Sequence, residues 1–413
     1  MTLRPDPLRL SRRARRVEPF YVMELAKAAA DMARLARPGD RPMIYLNIGE
    51  PDFTAPPPVQ AAAERAIRDG RSQYTPATGL PALREAISGW YASRFGLDID
   101  PARIVVTAGA SAALQLACLA LIEAGDEVLM PDPCYPCNRQ FVQAAEGTPV
   151  LIPSGPEDRF QLSADHVASA WGEATRGVLL ASPSNPTGTS IARAELERIA
   201  RFVREKGGVT LIDEIYLGLS YDEAYGHSAL GLPDGLGDEV ISVNSFSKYF
   251  NMTGWRLGWL VLPPALVPAV ERLAQNLFIC ASTVAQHAAL ACFEPESLAE
   301  YERRRAEFKA RRDFFIPALD RLGLPVPVMP DGAFYAWADV KALCERWNLK
   351  APDGRPEEGG SWALAFELMR RCQLATTPGR DFGLADPGRY LRFSTANALP
   401  QLQEAVHRLE AAL

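Results

Sequence analysis

The chain has 413 residues, 44 of them basic and 50 acidic, for a formal net charge of −6, and just under half are hydrophobic. That length exceeds one ordinary core and predicts two or three domains, or a large α/β domain with a smaller companion. The mild acidic balance carries no electrostatic footprint for nucleic acid, and no apolar run approaches the ~18 residues that a membrane-crossing helix needs. Seven cysteines in a chain this long do not make a disulfide framework, so a reducing, cytoplasmic compartment is expected.

Residues 1–20 hold six arginines against Asp6 and Glu18 and lack the apolar centre of a secretory signal. A solvated or partner-covering arm is the expectation, with an Arg-rich organellar transit peptide as the alternative. Residues 21–37 read as an amphipathic helix ahead of an apolar run at 44–48. Short apolar runs then recur at 103–106, 127–130, 149–152, 177–181, 209–213, 240–244 and 257–262. They are rich in Val, Ile and Leu with little polar alternation, which predicts strands buried on both faces. Helical patterns at 110–123 and 192–206 fall between them, the rhythm of a mainly parallel sheet covered by helices. Towards the C-terminus come a long charged helix at 300–322, strands at 333–337 and 390–394, and helices at 362–372 and 400–413. Residues 346–360, polar with Pro and Gly, read as a surface loop. The expected organisation is an arm and part of a small domain over 1–55, a large domain over 56–298, and the rest of a smaller α+β domain over 299–413.

Ligands of open parallel sheets bind beyond the carboxyl ends of the strands, and the unusual polar residues gather there. Thr107-Ala108-Gly109-Ala110-Ser111 follows one strand and opens a helix. Ser182-Pro183-Ser184-Asn185-Pro186-Thr187-Gly188 follows another. A third ends in Asp213-Glu214-Ile215-Tyr216, and a fourth in Asn244-Ser245-Phe246-Ser247-Lys248, with Gly254-Trp255-Arg256-Leu257-Gly258 close behind. Gly109, Ala110 and Ser111 at a helix start offer N–H groups and a hydroxyl to a phosphate. Ser245, Ser247 and Arg256 add donors, and a guanidinium grips two oxygens at once. Lys248 condenses with an aldehyde once its amine is neutral. Asp213, closing a buried strand, is costly unless it meets a cation or donors.

These segments, in this order, resemble the class I/II aminotransferases of pyridoxal phosphate (PLP) fold type I. The likeness extends from about residue 20 to the C-terminus and includes Asn47-Ile48-Gly49-Glu50-Pro51-Asp52-Phe53 and Arg392-Phe393-Ser394. It implies an α/β fold with a mainly parallel seven-stranded sheet in the large domain, a smaller α+β domain from both termini, and a homodimer with shared active sites. It also implies PLP as a Schiff base on Lys248, with Asp213 on the pyridinium nitrogen and Asn185 and Tyr216 donating to the ring oxygen. Tyr135 matches the aromatic that stacks on the ring. Gly109, Ala110, Ser111, Ser245, Ser247 and Arg256 match the phosphate cup, and Tyr74 a residue reaching the phosphate from the other subunit. Arg392 matches the clamp on the substrate α-carboxylate, with Gly49 a backbone contact beside it. The implied reaction passes an amino group from an amino acid to a 2-oxo acid, with Lys248 as general base.

Blander readings compete residue by residue: Asp213 as a helix cap, Arg392 as a salt bridge at the core edge, Tyr135 as ordinary core. Cys134 and Cys137 form a lone C-x-x-C, two ligands short of a zinc site. Carbon–sulfur lyases of the same fold share these motifs and are separated by release of ammonia and pyruvate without an oxo-acid acceptor. A non-catalytic sensor domain would need an attached DNA-binding module, and about twenty residues precede the likeness, too few for one. Two further stretches, 332–335 and 377–383, are expected to line the site. Phe20, Tyr21, Phe334 and Tyr335 are candidates for an apolar substrate pocket.

Overall fold

The structure, a computed structural model, describes residues 10–19, 21–35, 37, 39–350 and 359–413. Twelve strands form among them: β1 (Ile44–Tyr45), β2 (Ile104–Thr107), β3 (Glu127–Asp132), β4 (Thr148–Pro153), β5 (Thr175–Ala181), β6 (Val209–Asp213), β7 (Ile241–Ser245), β8 (Gly258–Val261), β9 (Tyr335–Asp339), β10 (Leu374–Ala375), β11 (Thr377–Pro378) and β12 (Tyr390–Ser394). Seven of them build one sheet in the order β2-β8-β7-β6-β5-β3-β4. All pairings are parallel except those of β8, which runs antiparallel to both β2 and β7. Each of the seven apolar runs picked out in the sequence supplies one of these strands.

Side-chain alternation splits every central strand between two cores. Ile104, Val106, Leu129, Val178, Leu180, Ile212, Trp259 and Val261 point into one. Val105, Val128, Met130, Leu179, Leu211, Val243 and Leu260 point into the other. The helix Arg193–Glu205 shows how the faces are covered: Leu196, Ile199, Ala200 and Val203, at helical spacing, are its buried residues. The outermost strand β4 departs from the expectation, with no fully buried residue. It lies at one edge of the sheet, beside β3.

A third cluster draws on both chain ends. Leu25, Ile44, Phe315, Ala336, Leu364, Leu391 and Leu409 belong to it. It packs beside a three-stranded antiparallel sheet, β11-β12-β9, and a parallel pair, β1-β10. Several boundaries differ from the sequence reading. The apolar run at 44–48 yields only the two-residue β1, and the first amphipathic helix is Tyr21–Arg34. The long charged helix is Pro295–Arg321, because a proline in the first turn has no helical N–H to lose. It therefore runs unbroken across residue 298. Residues 351–358 of the expected surface loop lie outside the described residues. No helix among the described residues is long and apolar enough to cross a membrane.

Trp259 anchors the larger core. It is fully buried, its Nε1–H donates to the Tyr91 hydroxyl at 3.1 Å, and its ring lies 5.0 Å from that of Phe246. Trp259→Ala is expected to cost about 3–5 kcal/mol of stability, read as a lower urea midpoint by far-ultraviolet circular dichroism.

Candidate active site

A cavity of about 830 Å³ opens at the carboxyl edge of the large sheet. Ala181, Asp213 and Ser245, the last residues of β5, β6 and β7, all line it. One end is built for an anion. Gly109, at φ 82°, turns the chain from β2 into the helix Ala110–Leu121, leaving the N–H groups of the first helical turn without intrahelical acceptors. A Cβ on Gly109 would stand 2.6 Å from the Arg256 guanidinium, so glycine lets that group close on the helix start. Arg256 Nη1 lies 3.5 Å from Ser247 Oγ, and the Ser247 N–H donates to Ser245 Oγ at 3.0 Å. Ser111 and Arg256 remain exposed at the mouth.

Lys248 and Asp213 face each other's charge in the centre. Lys248 Nζ donates to the Gly49 carbonyl at 2.5 Å. Burial, and then the positive charges of Arg392 and Arg256, lower the amine from its ordinary 10.5 to about 8, against the pull of Glu50 and Asp213. Asp213 Oδ1 accepts the Ile215 N–H at 3.0 Å. Burial raises its carboxyl to about 7, with Glu214 adding to the rise and the Ile215 N–H and Lys248 opposing it. Glu214 points the other way along the strand. Its carboxylate accepts Ser228 Oγ at 2.8 Å, Ser242 Oγ at 2.6 Å and the Ala229 N–H at 2.7 Å, which pins the end of β6.

The far end carries a buried arginine. Arg392, on β12, donates from Nη1 to Asn185 Oδ1 at 2.7 Å and from Nη2 to the Asn47 carbonyl at 2.8 Å. Its Nε is buried without a partner, and its guanidinium lies 4.4 Å from the Tyr335 ring centre and 4.8 Å from that of Phe382. The Tyr216 and Tyr335 hydroxyls are 2.6 Å apart. A Cβ on Gly49 would collide with the Tyr335 hydroxyl.

Of the residues singled out in the sequence, Gly49, Ala110, Ser111, Tyr135, Asn185, Asp213, Tyr216, Ser245, Ser247, Lys248, Arg256 and Arg392 line this one cavity. Gly109 sits directly behind Arg256, and Tyr74 lies apart from the cavity, 80% exposed. The apolar-pocket expectation needs correcting. Phe20 lies outside the described residues. Tyr21 turns away, its ring edge-on to Trp362 at 5.7 Å and 4.1 Å from the Arg380 guanidinium. Phe334 packs behind Tyr216. Tyr335 lines the cavity as expected, and the rest of the apolar lining comes from residues not singled out for it, including Val22, Met23, Ala26 and Ile48.

Tyr335 alone of 332–335 reaches the cavity. The stretch 377–383 backs it rather than lining it: Thr377 Oγ1 donates to the Asn47 carbonyl at 3.2 Å, and Phe382 lies beneath Arg392. Asn47, Glu50 and Thr253 also line the site. Asn47 and Glu50 lie inside the 47–53 segment already noted, whereas Thr253 carried no signal.

This donor set suits PLP. The phosphate has a helix start, hydroxyls and a guanidinium. The buried Asp213 would be matched by the cation that a protonated ring nitrogen provides, and Lys248, lowered to about 8, gives up its proton far more readily than an ordinary lysine. Comparison with known proteins gives the same class. The family described as aminotransferase class I and II matches residues 41–409. A valine–pyruvate aminotransferase of Mycobacterium tuberculosis is 38% identical over 393 residues, 95% of this chain and 96% of its own length. An aspartate aminotransferase of Pyrococcus abyssi is 33% identical over 401 residues, 96% of each chain. The crystal structure of an aminotransferase from Mycobacterium tuberculosis superposes with a TM-score of 0.89 at 38% identity, covering 98% of this chain and 99% of its own. The fold is that of a PLP-dependent enzyme of fold type I. The chain belongs to the class I and II aminotransferases, whose substrates are amino acids and 2-oxo acids.

An amine adds to an aldehyde only as the neutral base. With Lys248 at about 8, apoprotein mixed with PLP and quenched in borohydride should label at Lys248 with a rate rising about tenfold per pH unit below 8 and levelling above it. Peptide mass spectrometry reads the site. A rate still climbing at pH 10 would mark an unperturbed amine.

Proposed function

We propose that the enzyme moves the amino group of an L-α-amino acid to a 2-oxo acid acceptor in two half-reactions, with Lys248 as both Schiff-base lysine and general base. One observation carries this reading: an amine lowered to about 8 shares a cavity with a buried carboxylate and a buried guanidinium. PLP, when bound, supplies an aldehyde that condenses with amines and a ring that delocalises the electron pair released at the substrate Cα.

The protein's own groups do the rest. The cup of Ala110, Ser111, Ser245, Ser247 and Arg256, with Gly109 leaving room for the guanidinium, holds the phosphate. Asp213 would pair with a protonated ring nitrogen and so keep the ring an electron sink. Tyr135 would hold the ring face. Tyr216 would donate its hydroxyl to the ring oxygen, and Asn185 its amide N–H, since Asn185 Oδ1 accepts from Arg392. Arg392 receives the substrate α-carboxylate, with the Gly49 backbone beside it. Lys248 Nζ, lowered to about 8, would be suited to take and return the proton at the substrate Cα as general base.

The same reading takes the chain as a cytoplasmic homodimer with Tyr74 reaching the partner's phosphate cup. It divides the chain into an arm and part of a small domain (1–55), a large cofactor domain (56–298) and the remaining small domain (299–413). The cluster drawn from both chain ends supports a separate small domain, while Tyr301, Phe308, Ala333, Phe334, Tyr335 and Ala396 pack into the larger core, and Pro295–Arg321 joins the two.

Lys248→Ala should lower kcat by about 10³-fold or more yet leave a folded protein that holds PLP non-covalently. Wild-type turnover would exclude the assigned role. Arg392→Ala should lower kcat/KM for carboxylate substrates by about a hundredfold, mainly through KM. Ammonia and pyruvate formed from a thioether amino acid without an oxo-acid acceptor would identify a lyase instead. For the dimer, inactive Lys248→Ala mixed with Tyr74→Ala should regain activity, because one site of each hybrid combines an intact Lys248 with an intact Tyr74. Activity no higher than the sum of the two separate variants would rule out shared sites.

A further inference from the structure

We propose that Val22, Met23 and Ala26, with Ile48, form the subsite for the substrate side chain and select amino acids whose side chains are uncharged and apolar. This rests on the aminotransferase reading of the same cavity and adds the substrate class. The four residues share the cavity with Lys248 and Arg392. A substrate with its α-carboxylate on Arg392 and its α-amine at Lys248 has two of its Cα substituents fixed. The phosphate cup takes up another wall, so the side chain is directed to the face that these residues supply.

The chemistry of that face is specific. On the helix Tyr21–Arg34, Met23 and Ala26 are three residues apart and Val22 and Ala26 four, so they project side by side. Val22 is 8% exposed and tied to the core, but Met23 is 63% and Ile48 44% exposed. Large apolar groups at the mouth of a site gain when an apolar ligand removes their surface from water. A carboxylate laid there would lose hydration without a partner on these four side chains. The face is also held in place. The Tyr21 N–H donates to Asp381 Oδ1 at 3.0 Å, and the Tyr21 ring packs edge-on to Trp362 with the Arg380 guanidinium over both rings. The helix start therefore presents Met23 and Ala26 from a fixed base.

The test is the half-reaction of the PLP-loaded enzyme with single amino acids, followed by loss of its yellow absorbance. L-norleucine should exceed L-aspartate in kcat/KM by about tenfold or more. Met23→Arg should reduce that ratio by about tenfold or more, raising aspartate and lowering norleucine. Met23→Ala, a smaller change at an exposed position, should lower norleucine relative to L-alanine several-fold without raising aspartate. Aspartate reacting as fast as norleucine in the wild type, or ratios unchanged in both variants, would overturn the subsite and leave aminotransfer intact. Failure of every amino acid to bleach the enzyme, alanine included, would overturn the aminotransfer reading and the subsite with it.

Discussion

Burial of opposite charges at the carboxyl edge of one sheet is the constraint on which the site depends. Lys248 and Asp213 are taken out of water at the ends of neighbouring strands, and burial pushes each toward its neutral form. In most proteins such a pair would be a liability, because neither group is fully compensated. On the proposed reading PLP would offset that cost, with a carbonyl carbon for the amine and a cationic ring nitrogen for the carboxylate.

The sheet gives these groups their rigidity. β5, β6 and β7 are hydrogen-bonded in register, Ala181 beside Asp213 and Asp213 beside Val243. A displacement of one strand end would have to break a ladder. Glu214 reinforces this from the opposite face, where three donors hold its carboxylate. Two adjacent acids on one strand thus divide the labour that alternation imposes, one facing the chemistry and the other securing the strand that carries it.

Most of the large sheet was legible in the sequence, because buried strands must be apolar on both faces and the runs at 177–181, 209–213 and 240–244 are. The polar cluster was legible too, since Asn185, Asp213, Lys248 and Arg256 follow those runs closely in the chain. What was not legible depends on contacts between distant segments. The two-residue β10 and β11 exist through pairing with β1 and β12. Tyr335 meets Tyr216 across 119 residues of sequence. The amphipathic pattern of residues 21–37 marks an apolar face, but Tyr21 is drawn aside by Trp362 and Arg380, and this leaves the inward place to Met23. The start of the long helix was missed because a proline reads as a breaker until its first-turn position is known.

Arg392 has a consequence beyond its proposed part in holding a carboxylate. It stands on the small antiparallel sheet, yet one branch of its fork grips Asn185, which follows β5 of the large sheet. The other holds the Asn47 carbonyl, just beyond β1. A ligand seated on this guanidinium therefore acts on the seam between the two sheets rather than on one surface. Thermodynamic reciprocity then follows: whatever draws the sheets together tightens the grip on the ligand, and the ligand favours their approach by the same free energy.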